Sequence, residues 1–280
     1  MHRIYKLKSG VLFDVNGNFY LEEKIKDWND FINNDDLFQS VIRIVAGAKK
    51  VENGLQLIDQ EVLPPIDKQE IWASGVTYFR SREARKEEAE TTEGENFYEK
   101  VYDAVRPELF FKASAQRTVG TNDKVNIRKD SVWNVPEPEL TLFVTSNSSI
   151  VGYSIGNDMS SRSIEGENPL YLPQAKVYER CAALGPCIAV SNKPIDSGTR
   201  ILMKIVRERN LVYEESVSIN QMKRKHQELV SFLFKECEFP YGCFLMTGTG
   251  MVPPKEFTLK SGDEISISID SIGTLVNTVN

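Results

Sequence analysis

Three carboxylates in this 280-residue chain have the types and the spacing to share one metal ion. Glu137 and Glu139 lie two positions apart, so on an extended chain both side chains project to the same side. Asp158 lies further along, after a second strand-like run. Three oxygen donors without Cys or His suit a hard ion that keeps water or substrate in its shell, so Mg²⁺ or Mn²⁺ is predicted.

A β-hairpin would bring Asp158 to the two glutamates. Residues 140–144 and 150–155 have the composition of strands, and the polar segment between them is typical of a turn. If the hairpin turns about Asn147-Ser148, paired positions sum to 295, so Asp158 lies directly opposite Glu137. The leucines of the first strand then occupy the opposite face.

Opposed like charges destabilise a hairpin, so this arrangement needs a compensating feature. Two carboxylates about 4 Å apart repel by roughly 4 kcal/mol at an effective dielectric near 20. The chain must protonate one of them, expose them to water or bind a cation. A solvated acidic strand face is a real alternative because 26% of the residues are charged. Spacing alone leaves the metal site and the solvated face open.

Composition limits the class of protein. A chain of 280 residues with 41% apolar content can bury a full core, in one large domain or in one large and one small domain. A net charge of −6 without a basic aromatic patch argues against a nucleic-acid partner. The N-terminus lacks an apolar signal core, and no apolar run reaches membrane-spanning length. We expect a cytoplasmic protein without a membrane partner.

Cysteine and histidine offer little for catalysis. Two Cys-x5-Cys spacings match neither a zinc knuckle nor a redox pair, so buried free thiols are predicted. These cysteines are Cys181, Cys187, Cys237 and Cys243. The chain has two histidines, His2 and His226, and the second lies on the polar flank of a predicted helix. The chain therefore has few residues from which to build a nucleophile activated by histidine.

Residues 1–66 are predicted to form a small N-terminal domain. Asn16-Gly17 between apolar runs indicates a hairpin, and Asp35-Asp36 precedes a helical pattern that includes Leu37 and Val41. The proline-containing segment 63–66 then leads into the main domain.

The main domain, residues 67–280, alternates strands and turns more than helices. Its best helices are predicted at Arg80–Ala89 and Met222–Glu238. There is no glycine-rich nucleotide loop and no internal repeat. The predicted fold class is α+β and predominantly β. The glutamate-rich segment 83–95 is either a solvated helix and loop or a mobile lid.

Other residues could transfer protons or hold substrate. Lys176 could act as an acid or a base, and Glu108 beside an apolar strand could do the same, or it could be a surface carboxylate paired with Arg106 or Lys112. The segments 247–250 and 75–78 offer backbone N–H groups that could bind a carboxylate, or they could be plain turns.

Several of these motifs together resemble the fumarylacetoacetate hydrolase family. They are Ala73–Arg82, the Pro-Glu-Pro-Glu run at 136–139, Asn157-Asp158 with Ser160–Arg162, and Thr247–Thr249. The resemblance covers roughly residues 68–279. It implies a mixed β-roll of the fumarylacetoacetase C-terminal type with a small N-terminal domain, assembled as a homodimer or homotetramer. It also implies that Glu137, Glu139 and Asp158 bind Mg²⁺, Mn²⁺ or Ca²⁺.

Within the family, segments 98–113 and 167–176 are most similar to dehydratases of 2-keto-3-deoxy sugar acids. The implied activity is a hydro-lyase that removes water through a metal-stabilised enolate. Lys176 and Glu108 are then the catalytic acid and base, in either assignment. Substrate contact is implied for Thr249, and the residues expected to line the pocket with it are Gly75, Thr77, Tyr78, Arg82 and Tyr171.

Two other functions stay open. One is a carbon–carbon hydrolase or decarboxylase of the acylpyruvate or oxaloacetate type, although the family's hydrolytic members use a His-Glu dyad and no histidine lies between His2 and His226. The other is a non-catalytic binding protein in which the ion only stabilises the fold.

Overall fold

The computed structural model describes residues 1–80 and 100–280, and β-structure dominates the second range. The strands are β1 (His2–Lys6), β2 (Val11–Val15), β3 (Asn18–Glu22), β4 (Lys49–Val51), β5 (Glu70–Ala73), β6 (Phe110–Ser114), β7 (Thr118–Val119), β8 (Lys124–Val125), β9 (Asn134–Val135), β10 (Pro138–Val144), β11 (Ile150–Asp158), β12 (Ser160–Ser161), β13 (Ala182–Val190), β14 (Arg200–Arg207), β15 (Asn210–Ser218), β16 (Cys243–Met246), β17 (Glu264–Ile269) and β18 (Gly273–Val279).

The α-helices are few and short. They are α1 (Trp28–Ile32), α2 (Leu37–Val45), α3 (Gly54–Glu61), α4 (Arg162–Glu167), α5 (Leu172–Lys176) and α6 (His226–Leu233). Within the described ranges, none of them has the length and apolar content needed to cross a bilayer. Residues 81–89 of the predicted Arg80–Ala89 helix, the segment 83–95 and Arg82 lie outside the described residues.

Two large sheets form the body of the protein. The first has eleven strands and runs β4-β3-β2-β1-β13-β11-β10-β16-β5-β6, with β7 paired to β13 outside this path. The second has five strands in the order β15-β14-β17-β18-β8. Most pairings are antiparallel, while β16 with β5, β13 with β7 and β18 with β8 are parallel. The prediction of a predominantly β fold with mixed sheets is confirmed.

The two faces of the larger sheet have different coverings. One face, with Leu140, Leu142 and Ile155, packs in a core that includes Ile201 and Ile267 of the second sheet. The other face packs in a separate core with the first two helices, through residues that include Trp28, Leu37, Phe143 and Phe244. The alternation along β10 therefore assigns odd-numbered residues to the helix-covered face.

The N-terminal strands extend the larger sheet. Strand β1 pairs antiparallel with β13, with Arg3 opposite Ala189. The segment 63–66 contacts helix α1, since the Trp28 Nε1–H donates to the carbonyl of Pro65 at 3.1 Å. The division into two domains near residue 66 stays a prediction.

In this N-terminal region the predicted hairpin turn and the predicted helix after Asp35-Asp36 are confirmed. Asn16 and Gly17 join β2 to β3 with φ values of +54° and +81°, as a type I′ turn requires. Helix α2 begins directly after Asp36, although the Asp36 side chain makes no capping hydrogen bond.

The predicted helix over Met222–Glu238 is too long, since α6 covers only His226–Leu233. The Lys223 N–H donates to the carbonyl of Thr77 at 2.9 Å, so the residues before the helix are held in a β-bridge-like conformation. The Glu228 carboxylate then accepts a hydrogen bond from the Lys225 N–H at 3.4 Å, which marks the helix start. Tertiary contacts thus make this helix shorter than the sequence pattern predicts.

The thiol prediction is right for three cysteines and wrong for one. All four cysteines are free, and Cys181, Cys187 and Cys243 are buried. Cys237 is exposed, as are its charged neighbours in the segment that follows α6. Burial lowers the pKa of His226, which lies half-buried in the first turn of α6.

The β2–β3 turn gives a test of the backbone argument. We expect Gly17→Ala to lower the free energy of unfolding by about 1 kcal/mol, because an added Cβ meets no atom within 4 Å but L-residues pay for positive φ. Gly47→Ala is the matched control, since its Cβ also has open space and its φ lies outside that region. Denaturant unfolding of both variants measures the difference, and equal stabilities would contradict the turn assignment.

Candidate metal and acid–base site

The hairpin of β10 and β11 places Asp158 opposite Glu137, as the predicted register requires. Glu139 pairs with Gly156, so paired positions sum to 295 up to a β-bulge near the turn. The backbones of Glu137 and Asp158 exchange two hydrogen bonds, with N···O distances of 3.2 and 2.9 Å. The register prediction is confirmed.

All three carboxylates are buried on one face of this hairpin. The exposed fractions are 4% for Glu137, 1% for Glu139 and 1% for Asp158. One oxygen from each residue lies within 4.8 Å of the others. The alternative of a solvated acidic face is therefore wrong, because almost none of the surface of these residues is exposed. Neighbouring cationic side chains, protonation or a bound cation must offset the repulsion.

Lys176 and Arg162 supply positive charge to two members of the triad. The Lys176 ammonium donates to Glu137 Oε2 at 2.8 Å and to Asp158 Oδ2 at 3.0 Å. It also donates to Ser160 Oγ at 2.7 Å. The Arg162 guanidinium lies 2.7 Å from Glu137 Oε1. Lys176 is the last residue of α5 and Arg162 the first of α4, so short helices that follow the hairpin deliver both charges.

Glu139 has no cationic side chain paired with it in the described part of the chain. Its Oε2 accepts a hydrogen bond from the Gly248 N–H at 2.5 Å. Burial, together with the charges of Asp158 and Glu137, holds the pKa of Glu139 well above the usual carboxyl range, and Lys176 opposes this only in part. Glu139 is therefore expected either to be protonated or to bind a cation. The three carboxylates together offer oxygen donors, which suit Mg²⁺ or Mn²⁺.

A fourth buried carboxylate lies behind Arg162. Glu165 is 2% exposed, and its Oε2 is 3.9 Å from Arg162 Nη1. The two residues are three positions apart on α4, which places them on the same helix face. Arg162 thus lies between Glu137 and Glu165, and both contacts limit its movement.

A small cavity opens on the triad, and several predicted residues meet there. Its lining residues are Ser74, Gly75, Val76, Phe110, Glu137, Glu139, Asp158, Arg162, Lys176, Gly248 and Thr249. Thr77 and Tyr78 lie behind this wall, where the Thr77 hydroxyl donates to the carbonyl of Thr247 at 2.7 Å. Tyr171 is 41% exposed and does not line the cavity. Substrate contact at these positions stays a prediction, and Arg82 is outside the described residues.

Glu108 approaches the cavity from the side of Gly75. A Cβ at position 75 would lie 2.0 Å from Glu108 Oε2, so only glycine leaves room for this carboxyl group. The Ser74 hydroxyl donates to the carbonyl of Glu108 at 2.9 Å, which ties the two segments together. Next to them Val76 has a φ of +53°, a conformation that costs a β-branched residue about 1–3 kcal/mol. Strained backbone of this kind is concentrated at functional sites.

The sequence reasoning missed Lys112 as a site residue. It lies in β6, is 0% exposed, and its Nζ is 2.6 Å from Asp158 Oδ1. Its signal was a lysine inside the apolar run Phe110–Ala113, since charged residues are rarely buried unless they are paired. Ser160 and Arg162 belong to the family motif at 160–162, and the sequence alone predicts no role for either of them.

A larger groove of about 830 Å³ lies elsewhere on the surface. It is lined by residues of the β10–β11 turn, the start of α2 and the start of α6, including Asp35, Ser149 and His226. The Asp35 carboxylate already accepts hydrogen bonds from Thr145 and Asn147. The chemistry is therefore concentrated in the smaller cavity, and His2 on β1 and His226 both lie away from it.

The chain belongs to the fumarylacetoacetate hydrolase family. The family's sequence model, described as "Fumarylacetoacetate (FAA) hydrolase C-terminal", matches residues 71–280. The match therefore includes the hairpin, the two short helices and the second sheet.

Two relatives that cover most of the chain are named as sugar-acid dehydratases. A protein of Haloferax volcanii called probable 2-keto-3-deoxyxylonate dehydratase is 46% identical over 79% of this chain and 76% of its own length. The 2-dehydro-3-deoxy-D-arabinonate dehydratase of Saccharolobus solfataricus is 45% identical over 80% and 76%, respectively. A solved 2-keto-3-deoxy-D-arabinonate dehydratase, complexed with magnesium and 2,5-dioxopentanoate, has a TM-score of 0.84 and 35% identity over 100% of this chain and 98% of its own.

Metal binding at the triad can be tested without assuming a reaction. We expect Mg²⁺ to raise the melting temperature of the protein. When free Mg²⁺ is about 100 times its Kd, the free energy of unfolding should increase by about 2.7 kcal/mol. Glu139→Gln should lose this rise, because it removes a ligand and the charge that has no other counter-ion. Calorimetric titration and thermal melts with and without chelator measure both effects.

Glu264→Gln provides the matched control for that test. It makes the same chemical change at an exposed position of β17 in the second sheet, so its response to Mg²⁺ should equal that of the wild type. Stoichiometric Mg²⁺ binding by the Glu139→Gln variant at wild-type affinity would contradict the metal site.

Proposed function

We propose that this chain is a Mg²⁺-dependent hydro-lyase that removes water from a 2-keto-3-deoxy sugar acid. The observation that carries this proposal is the convergence of the buried triad with Lys176 in one cavity, with the Glu108 carboxyl group packed against Gly75 of the cavity lining. The chain's two histidines lie elsewhere, so the dyad of the hydrolytic members has no counterpart here. The dehydratase names of relatives at 46% and 45% identity support the same reaction.

Glu137, Glu139 and Asp158 would hold the metal ion. Their all-oxygen donor set, their burial and the unbalanced charge at Glu139 fit Mg²⁺, while Mn²⁺ or Ca²⁺ could replace it. When bound, the ion withdraws electron density from the 2-keto group of a 2-oxo acid and so makes the hydrogens on C3 more acidic.

The positions of the two proton-transfer groups support an order of action. Lys176 lies between the carboxylates of Glu137 and Asp158, at the end of the cavity that would hold the 2-oxo acid group. In its amine form it is placed to take a proton from C3. Glu108 approaches from Gly75, and in its acid form it is placed to protonate the hydroxyl group on C4.

The bond changes of this elimination balance. The C3–H bond breaks, its proton goes to Lys176 Nζ, and its electron pair forms the C3=C4 double bond. The C4–O bond breaks, and the hydroxyl leaves as water with the proton of Glu108. Lys176 has then gained the proton that Glu108 lost, so exchange with solvent restores both groups. The unsaturated product can tautomerise.

The first test is turnover of a substrate panel with Mg²⁺, with products identified by mass. The panel contains 2-keto-3-deoxy pentonates and hexonates, acylpyruvates and oxaloacetate. We expect a product lighter by one water from a sugar acid, and chelator should abolish its formation. Carbon fragments or CO₂ would instead assign a hydrolase or a decarboxylase, and protection by the ion alone without turnover would indicate a binding protein.

Deuterium exchange separates the two proton-transfer roles. With substrate in D₂O, Glu108→Gln should still exchange the C3 hydrogens, because Lys176 acts first, but it should lose dehydration by about 10²–10⁴-fold. Lys176→Met should lose both reactions. Proton NMR of the substrate measures exchange, and the opposite pattern in the two variants would reverse the assignment.

Gly75→Ala tests whether glycine is needed to admit Glu108. The added Cβ would displace the Glu108 carboxyl group, so kcat should fall to near that of Glu108→Gln. If Gly75 acts only through Glu108, the variant that combines Gly75→Ala with Glu108→Gln should have a kcat no lower than that of either single variant. Additive losses in kcat would show that Gly75 has a separate role.

The proposed enzyme acts in the cytoplasm as a homodimer or homotetramer. The family resemblance supports this assembly, and the metabolic activity named for the dehydratase relatives supports the location. Light scattering of the purified chain measures its mass in solution directly.

A further inference from the structure

Lys112 is a buried cation that lies outside the cavity wall. It occupies the middle of β6, is 0% exposed and is not among the residues that line the cavity. An ammonium group removed from water is costly unless each of its hydrogens finds an acceptor. The groups that contact the Lys112 ammonium must therefore offset this cost, and their identity indicates the role of Lys112.

The Lys112 ammonium contacts three oxygen atoms. Its Nζ forms an ion pair with Asp158 Oδ1 at 2.6 Å and donates a hydrogen bond to the carbonyl of Met159 at 3.0 Å. It donates a second hydrogen bond to the carbonyl of Lys176. The ring of Tyr178 adds a cation–π contact at 5.7 Å. One side chain of β6 thus joins the end of β11 to the end of α5.

Two lysines hold the two oxygens of Asp158. Lys112 contacts Oδ1, while Lys176 donates to Oδ2 at 3.0 Å. A carboxylate held at one oxygen can still rotate, whereas contacts at both oxygens fix its plane. The Lys176 contact faces the cavity, so an incoming cation can take its place. The Lys112 contact lies behind the wall and keeps Asp158 oriented during that exchange.

Lys112 also holds the backbone from which Lys176 projects. Helix α5 has only five residues, so it cannot be stable without tertiary contacts. The carbonyl of Lys176 is at its C-terminal end, where a positive charge interacts favourably with the helix dipole. The same ammonium group therefore fixes the metal ligand Asp158 and the starting point of the Lys176 side chain.

We infer that Lys112 is a positioning residue that orients Asp158 for the divalent cation and sets the reach of Lys176. This inference rests on the metal site proposed above. Groups that hydrogen-bond to metal ligands commonly contribute 10–100-fold to metal affinity. Lys112 acts through two other residues and does not touch the substrate.

The test is Mg²⁺ titration of Lys112→Met and Lys112→Gln by calorimetry, with melting temperatures measured alongside. We expect the Kd for Mg²⁺ to rise by about 10–100-fold in both. At saturating Mg²⁺, kcat for dehydration should fall at least tenfold, while KM should change less than about threefold, because the cavity lining is intact. Lys112→Arg keeps the positive charge but changes the geometry of the donor group. The same titration of this variant tests the inference if the two neutral variants do not fold.

Arg207→Met is the matched control for loss of a buried ion pair. Arg207 pairs with the fully buried Asp263 at 2.7 Å in the second sheet, so this variant should melt at lower temperature yet keep the Mg²⁺ Kd and kcat. Folded Lys112 variants with a Kd and a kcat within twofold of wild type would overturn the inference, whatever their melting temperatures.

The outcomes separate this inference from the proposed function. A wild-type protein that binds no Mg²⁺ and dehydrates no sugar acid refutes the metal site and the proposed reaction together. A wild-type protein that does both, with Lys112 variants that bind Mg²⁺ equally tightly, refutes only the role of Lys112.

Discussion

Three carboxylates buried side by side on one hairpin face are the constraint on which the rest of the structure depends. Opposed like charges destabilise a hairpin, and burial strengthens their repulsion because water no longer screens it. The apolar face of the same strands prevents relief by slippage. A shift of one residue would turn Leu140 toward the cavity and Glu139 into the core between the sheets. The core that stabilises the larger sheet therefore also holds the acidic set together.

The positive charges around this set are distributed unevenly. Lys112 and Lys176 share Asp158, and Lys176 and Arg162 share Glu137, while Glu139 receives only the Gly248 N–H. These cations come from β6, α5 and α4, elements that do not belong to the hairpin. The protein thus offsets most of the repulsion through its own side chains and leaves one carboxylate to a ligand. A site built in this way leaves Glu139 available to a divalent cation.

The parts of this arrangement that sequence could predict are those set by local pattern. The β10–β11 register followed from alternation about Asn147-Ser148, and the Asn16-Gly17 turn followed from its need for positive φ. Contacts between distant segments were not visible. Lys223 is held by Thr77, so α6 begins later than its pattern indicates, and Lys112 on β6 meets Asp158, which lies far along the chain at the end of β11. The fold class and the convergence of the three carboxylates could therefore be predicted from the sequence, whereas the Lys112 contacts could not.

The triad alone does not determine the reaction. A metal ion held by three carboxylates can activate many 2-oxo acids, and members of one scaffold therefore differ in the proton-transfer groups around it. In the proposed reaction those groups are Lys176, carried by a five-residue helix, and Glu108, which packs against Gly75. Both depend on segments with little regular structure: a short helix held by Lys112 and a loop with Val76 at positive φ. On this proposal the sheet fixes where a 2-oxo acid binds, while these two segments determine which bond is broken.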